Sequence, residues 1–328
     1  MKKIVVTASL PGEALDKLKE QFRVKVFNQK KTLSENELIK LLKNADGAIT
    51  LLSDPLTKNV LEKTKLKIIA NYAVGYNNID VAFANERGIV ITNTPDVLTD
   101  ATADLTLALI LSAARRIVES DNFTRKGKFK GWLPKLMLGV DLKGKTLGII
   151  GMGRIGKAVA RRALAFGMKI VYCQRKQLLQ SEEDAVNASF VELDQLLKIS
   201  DIVSIHCPLT KDTNKLLNRE RIFAMKKGAI LINTSRGQVV DEEALCDALE
   251  THLFSAGLDV YENEPIINKR LLKMKNVVLL PHIGSAARET REEMAEMAVS
   301  NIISFFEGKV PPNIIIEQKE IIKSIKLQ

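Results

Sequence analysis

Cysteine, histidine and tryptophan are all scarce in this chain of 328 residues, and the scarcity narrows its chemistry. Cys173, Cys207 and Cys246 are odd in number, far apart and without a C-x-x-C pair. That pattern argues against a disulfide framework and a structural zinc site, and no metal is expected. Long apolar runs are missing as well. The most apolar stretch, Leu105 to Ala114, falls well short of the ~18 residues that span a bilayer, so no membrane partner is expected. No block of five like charges occurs and aromatics are only 5%, so the net charge of +10 forms no compact basic stripe for nucleic acid. A basic protein acting on small anions is the simpler reading. The start, Met1-Lys2-Lys3-Ile4-Val5-Val6-Thr7, reads as a strand rather than a signal peptide, and a cytoplasmic setting is expected.

What is present is alternation. Lys3–Thr7, Val24–Phe27, Ala48–Leu52, Ile68–Ala73 and Ile89–Thr92 read as strands. Glu13–Gln21 and Ser34–Asn44 between them have helical spacing, and Ser34 with Glu37 forms a capping-box signature. One long apolar helix is expected from Ala101 to about Ser120, followed by a Gly/Lys-rich loop through Gly131. A second series then offers strands at Thr146–Ile150, Lys169–Cys173, Ile202–His206, Ala229–Asn233, Ala256–Val260 and Val277–Leu280. Short apolar strands with helical crossovers imply parallel sheets covered on both faces. The expectation is α/β, with two doubly wound parallel-sheet domains. The last amphipathic helix, about Ala286–Phe306, is long enough to return to the first series. That predicts a discontinuous domain of 1–97 plus 288–328 and a second domain of 98–287.

Gly151-Met152-Gly153-Arg154-Ile155-Gly156 places G-x-G-x-x-G between an apolar strand and a helix expected over Lys157–Phe166. The first glycine allows the tight turn, the second lets backbone approach a pyrophosphate, and the third permits close helix–strand packing. The diphosphate would sit on the free N–H groups of the helix start. This context points to a dinucleotide.

Three further segments fall at carboxyl ends of expected strands, where open α/β sheets bind ligands. They are Asn233-Thr234-Ser235-Arg236-Gly237, Asp259-Val260-Tyr261-Glu262-Asn263-Glu264-Pro265 and Pro281-His282-Ile283-Gly284. Singly, Arg236 fits a surface ion pair, Glu264 a helix-terminal acid and His282 a half-buried histidine. Together they supply a carboxylate-binding cation, a proton donor and the acid that orients it, which points to redox catalysis.

From about Leu33 to Pro312 the chain resembles the D-2-hydroxyacid dehydrogenases, most closely their glyoxylate/hydroxypyruvate reductase branch. The motifs above carry the resemblance, with Ala70-Asn71-Tyr72-Ala73-Val74-Gly75-Tyr76-Asn77-Asn78-Ile79-Asp80, the run from Thr92 to Asp104 that contains Thr102, and Cys207-Pro208-Leu209-Thr210. It implies a flavodoxin-like substrate domain, a Rossmann cofactor domain and Arg236, Glu264 and His282 as the catalytic set. Substrate would meet Leu52, Ser53, Val74, Gly75 and Arg236. Trp132 would reach the partner's site or anchor the arm of a homodimer, built also on the helix that starts near Ala101. Around the cofactor the resemblance adds Thr102, then Cys207, Pro208 and Thr213, then Thr234 and Ser235, and finally Asp259, His282 and Gly284. A small 2-oxo or 2-hydroxy acid is the implied substrate.

The acid that closes the second strand in NAD-specific sites would stand about 18 residues beyond Gly156. Gln174 stands there, followed by Arg175 and Lys176. NADP(H) is therefore the expected cofactor, with NAD(H) able to serve. Other readings share many of these features: a D-3-phosphoglycerate dehydrogenase, another D-2-hydroxyacid dehydrogenase, or a dinucleotide-sensing corepressor-like protein. A formate dehydrogenase of this fold would be expected to carry Gln at position 264.

Overall fold

A computed structural model describes residues 1–28 and 31–320. The chain divides into two compact units, Met1–Leu98 with the segment from Ser285 onward, and Thr99–Gly284.

The first unit holds β1 (Lys3–Val6), β2 (Arg23–Val26), β3 (Gly47–Thr50), β4 (Ile68–Asn71) and β5 (Val90–Thr92). All pairings are parallel and the order is β2-β1-β3-β4-β5. β3 and β4 are buried at every position, as a parallel strand covered on both faces must be, whereas the outer strand β2 alternates exposed and half-buried residues. The helix Glu35–Leu42 starts at the Ser34–Glu37 capping box, with both reciprocal bonds formed. The C-terminal helix Arg288–Phe306 belongs to this unit: Ala295, Ala298, Val299, Ile302 and Phe305 pack with Ile4, Val6, Leu18 and Ile68.

The second unit holds β6 (Thr146–Ile150), β7 (Lys169–Cys173), β8 (Ala188–Phe190), β9 (Ile202–Ile205), β10 (Ile230–Asn233), β11 (Ser255–Leu258) and β12 (Val277–Leu279). The order β12-β11-β10-β9-β6-β7-β8 is again all parallel. The last residues of the strands stand in register: Ile150 pairs with Cys173 and Ile205, Ile205 with Asn233, Asn233 with Leu258, and Leu258 with Leu279. Gly151, Gln174, His206, Thr234, Asp259 and Leu280 therefore leave the sheet along one edge. The strand order reverses at β6, which makes this edge the place for a ligand.

One expectation needs correction. The helix expected from Ala101 to about Ser120 is two helices, Thr99–Ala114 and Ile117–Arg125. Arg116 between them is left-handed at φ 53°. Its guanidinium grips both Glu119 oxygens at 2.9 Å, and Val140 N–H takes the Ala114 carbonyl that would have continued the first helix. No glycine or proline marks this stop. β8 was also unexpected, being a three-residue edge strand with no apolar run. Among the described residues no helix is long and apolar enough to cross a membrane.

Candidate active site

The glycine turn has the geometry its residue types require. Gly151 has φ 96°, which an L side chain resists, and its N–H donates to the Cys173 carbonyl at 2.9 Å. A Cβ there would strike the backbone of His206 and Cys207, and one on Gly156 would strike the Gly151 carbonyl. A Cβ on Gly153 would meet nothing within 4 Å. The two outer glycines are thus needed by the protein itself, whereas the middle one leaves open room at the N-terminus of the helix Arg154–Ala165. That helix has no acid in its first turn, so an anion approaching it meets the positive end of the helix and no like charge from it. The residues fit a dinucleotide.

At the end of β7 the Gln174 amide is already engaged. Its Oε1 accepts from Met152 N–H at 3.2 Å and its Nε2 donates to the Lys176 carbonyl at 2.7 Å. Arg175 and Lys176 are exposed. One Nε2–H and one Oε1 lone pair of Gln174 remain beside the two exposed cations. Thr213 closes its own turn by donating to the Pro208 carbonyl at 2.7 Å, and Cys207 is a thiol that burial pushes up to about 11.

Arg236 stands three residues beyond β10. Asn233 folds the intervening turn: its Oδ1 accepts from Ser235 N–H at 3.0 Å and its Nδ2 donates to the Arg236 carbonyl at 2.9 Å. Gly237 presses on the next loop so closely that a Cβ would overlap the backbone of Tyr261 and Glu262. Gln238 Nε2 then donates to the Glu262 carbonyl at 2.8 Å, which fastens the two loops together. Burial lowers the Arg236 pKa and the nearby Glu264 charge opposes the shift.

Glu264 accepts from Tyr261 N–H through Oε1 at 3.0 Å, and its Oε2 lies 2.8 Å from His282 Nδ1. Burial pushes its carboxyl upward, but the hydrogen bond and charge of His282, the Tyr261 N–H and Arg236 outweigh it and hold the group below its usual 4.5. His282 itself is left-handed at φ 54°. Asp259, 1% exposed, holds that turn by accepting from Ile283 N–H and Gly284 N–H, each at 2.7 Å. Burial raises the Asp259 pKa against the pull of those two N–H groups and of His282. Thr102 donates to the Gly284 carbonyl at 3.2 Å, and Thr106 links the Thr102 carbonyl at 2.8 Å to the Thr234 hydroxyl at 3.0 Å.

The second unit thus brings Arg236, Glu264 and His282 together at one sheet edge with the glycine turn. Sequence reasoning missed Asn233, Gly237 and Tyr261, whose hydroxyl donates to the Leu280 carbonyl at 2.8 Å. Only their adjacency to Arg236 and Glu264 could have flagged them. It missed His206 too, whose ring lies 2.8 Å from Ser204 Oγ and is pushed down to about 4 by burial. Leu52, Ser53, Val74 and Gly75 form their own group, on the loops that follow β3 and β4 in the first unit. Trp132 is 81% exposed, and Phe129, Leu133 and Leu138, close to it in sequence, are exposed as well. A cavity of about 370 Å³ beside Arg116, Phe254 and Lys275 contains none of the expected site residues.

Residues 107–284 match the family model described as D-isomer specific 2-hydroxyacid dehydrogenase, NAD binding domain. A glyoxylate reductase of Thermococcus litoralis is 48% identical, and the alignment covers 98% of each chain. A crystal structure of a Thermus thermophilus protein is 51% identical with a TM-score of 0.90, covering 96% of this chain and 100% of that one. The NADPH-dependent glyoxylate/hydroxypyruvate reductase of Sinorhizobium meliloti, solved with NADP and malonate, is 32% identical with a TM-score of 0.85, covering 96% and 97%.

Proposed function

The chain belongs to the D-isomer specific 2-hydroxyacid dehydrogenase family, and from that premise we propose that it reduces a small 2-oxo acid of the glyoxylate/hydroxypyruvate type to the D-2-hydroxy acid. The observation that carries the reading is the 2.8 Å contact of Glu264 with His282, beside Arg236 on the edge that bears the glycine turn.

Gly151–Gly156 would hold a nicotinamide dinucleotide, which would supply the hydride. With Nδ1–H donated to the ionised Glu264, Nε2 of protonated His282 is the ring atom left to deliver a proton to the substrate's carbonyl oxygen. Arg236 meets the negative charge that grows on that oxygen and binds the carboxylate, a preformed cation that needs no reorganisation. Hydride to C2 and proton to oxygen give the 2-hydroxy acid. The backbone around Val74 and Gly75 receives the carboxylate, with Leu52 and Ser53 beside it.

In this reading residues 1–97 and 288–328 recognise substrate and residues 98–287 hold the cofactor. NADPH is preferred because position 174 carries no acid and two exposed cations follow it. The active form is a homodimer joined through Thr99–Ala114 and the arm that bears Trp132, working in the cytoplasm, where separated thiols such as these stay reduced. The test is a matrix of NADPH and NADH against glyoxylate, hydroxypyruvate, pyruvate and bulkier 2-oxo acids, ranked by kcat/KM. Binding of dinucleotide without turnover of any 2-oxo acid would favour the sensing scaffold instead.

A further inference from the structure

Two side-chain amides decide which way the loop after β4 faces. Asn71, the fully buried last residue of β4, donates its Nδ2 to the Gly75 carbonyl at 2.8 Å. Asn93, one residue past β5, donates its Nδ2 to the Val74 carbonyl, also at 2.8 Å. A trans peptide points its N–H opposite to the C=O on the same plane. Drawing these two carbonyls toward the strand ends therefore turns the Gly75 and Tyr76 N–H groups the other way. Among the described residues, neither N–H has a protein acceptor. Two successive backbone N–H groups without a protein acceptor offer an anion two donors.

The amides are themselves held. Asn71 Oδ1 accepts from Thr50 Oγ1 at 3.3 Å, which leaves Nδ2 as the end that faces Gly75. Asn93 donates its own backbone N–H to the Asn313 carbonyl at 3.1 Å, and Asn313 N–H donates to Asn301 Oδ1 at 3.1 Å. The neighbouring loop joins the same network, because Asn78 Nδ2 donates to the Leu51 and Asp54 carbonyls at 3.1 and 3.0 Å.

We propose that Asn71 and Asn93 are positioning residues for the substrate carboxylate, fixing the Gly75 and Tyr76 N–H groups as its receptor. The proposal rests on the reading of the protein as a 2-oxo acid reductase. A purely structural role for the two amides predicts a different outcome, in which their loss lowers thermal stability and leaves substrate affinity alone.

The experiment compares Asn93→Ala, Asn93→Asp and Asn71→Asp with wild type. The Asp variants keep the shape and replace the donor with an oxygen that repels the carbonyl. Four quantities are measured: KM for glyoxylate, kcat, dinucleotide Kd by fluorescence quenching, and oxalate Kd by calorimetry on the dinucleotide-loaded enzyme. KM and the oxalate Kd should rise by about tenfold or more, the scale of one hydrogen bond to a charged group, while kcat and dinucleotide Kd stay within about threefold. Asn71 is buried, so if its variant does not fold the half-buried Asn93 decides the matter. A folded Asn93→Ala enzyme with unmoved KM and oxalate Kd overturns the proposal, as does a loss confined to kcat. Those results leave the reductase reading intact. A wild-type protein that turns over no 2-oxo acid overturns that reading and this proposal with it.

Discussion

Glu264 Oε2 lies 2.8 Å from His282 Nδ1, and each partner is fixed from behind by a different device: the Tyr261 N–H on Glu264 and the Asp259 carboxylate on the turn after His282. A proton donor held this way should carry most of the chemical step. His282→Ala is expected to lower kcat by ~10²–10⁴-fold, the usual share of general acid catalysis. Arg236→Ala should lose a comparable amount through charge left unmatched on the substrate oxygen. Dinucleotide Kd should stay within about threefold in both. Turnover near wild type in His282→Ala would remove His282 from the mechanism.

Gly153 and Gly237 offer a contrast within one unit. A Cβ at 153 has open space, whereas one at 237 overlaps the Tyr261–Glu262 backbone. Gly153→Ala should therefore melt like wild type yet bind dinucleotide more weakly, since the added methyl fills the room left for a diphosphate. Gly237→Ala should lose ~1–3 kcal/mol of stability by overpacking and should lose turnover as the Arg236 and Glu264 loops are forced apart. Thermal melts paired with fluorescence titration check both. A normal melt for Gly237→Ala would mean that the loops yield.

Some of this arrangement could be read in the sequence because it lies in local pattern. β6 and β7 each carry a short apolar run after a polar first residue, and the Ser34–Glu37 cap is a short-range motif. Arg236, Glu264 and His282 stood out because each follows a strand and carries unusual chemistry for its place. What stayed hidden depends on distant partners. The helix stop at Ala114 is made by Val140, 26 positions on, and nothing in the local composition announces it. Gly237 is needed because of a backbone 24 residues later, and the donor ends of Asn71 and Asn93 have meaning only once β4 and β5 lie side by side.

In the proposed homodimer the exposed apolar side chains near Trp132 are covered by the partner. Trp132 at 81% exposure, Leu133 at 63%, Leu138 at 60% and Phe129 at 57% lie within ten residues of one another. Clusters of this kind usually mark an interface. Light scattering at micromolar concentration should give a dimer. Trp132→Ala combined with Leu133→Ser should shift it toward monomer, whereas a monodisperse monomer from wild type would refute the assignment.

In the proposed reading, cofactor choice turns on the loop after β7, where Gln174 is followed by the exposed Arg175 and Lys176. A 2′-phosphate meets no acid at this position and gains at least one charge-assisted contact worth ~1.5–3 kcal/mol. NADPH should therefore be favoured over NADH by at least about tenfold in kcat/KM, mostly in KM, because the phosphate is remote from the reacting carbon. Arg175→Ala should erase much of the preference and leave NADH kinetics nearly unchanged. Equal use of both cofactors by wild type would sink this reading of the loop.

His206 contributes to the acid sensitivity of the second unit. Burial drives its imidazole from an ordinary 6.5 down to about 4, while the ring keeps its 2.8 Å contact with Ser204 Oγ. Above pH 6.5 the ring is neutral in both folded and unfolded chains and its titration contributes nothing. Between pH 6.5 and 4 the unfolded chain takes up a proton that the folded one refuses, so the titration of this ring lowers stability as the pH falls. Glu264 acts in a lower window. Its folded pKa lies below 4.5, so the stability it adds is complete above that value and is lost only as pH drops through the folded one. Urea midpoints at pH 7.5 and pH 5 separate the two groups. His206→Gln should lessen the difference between them, whereas Glu264→Gln should leave it nearly as large as in wild type. An undiminished difference in His206→Gln would show that another group governs the acid limb.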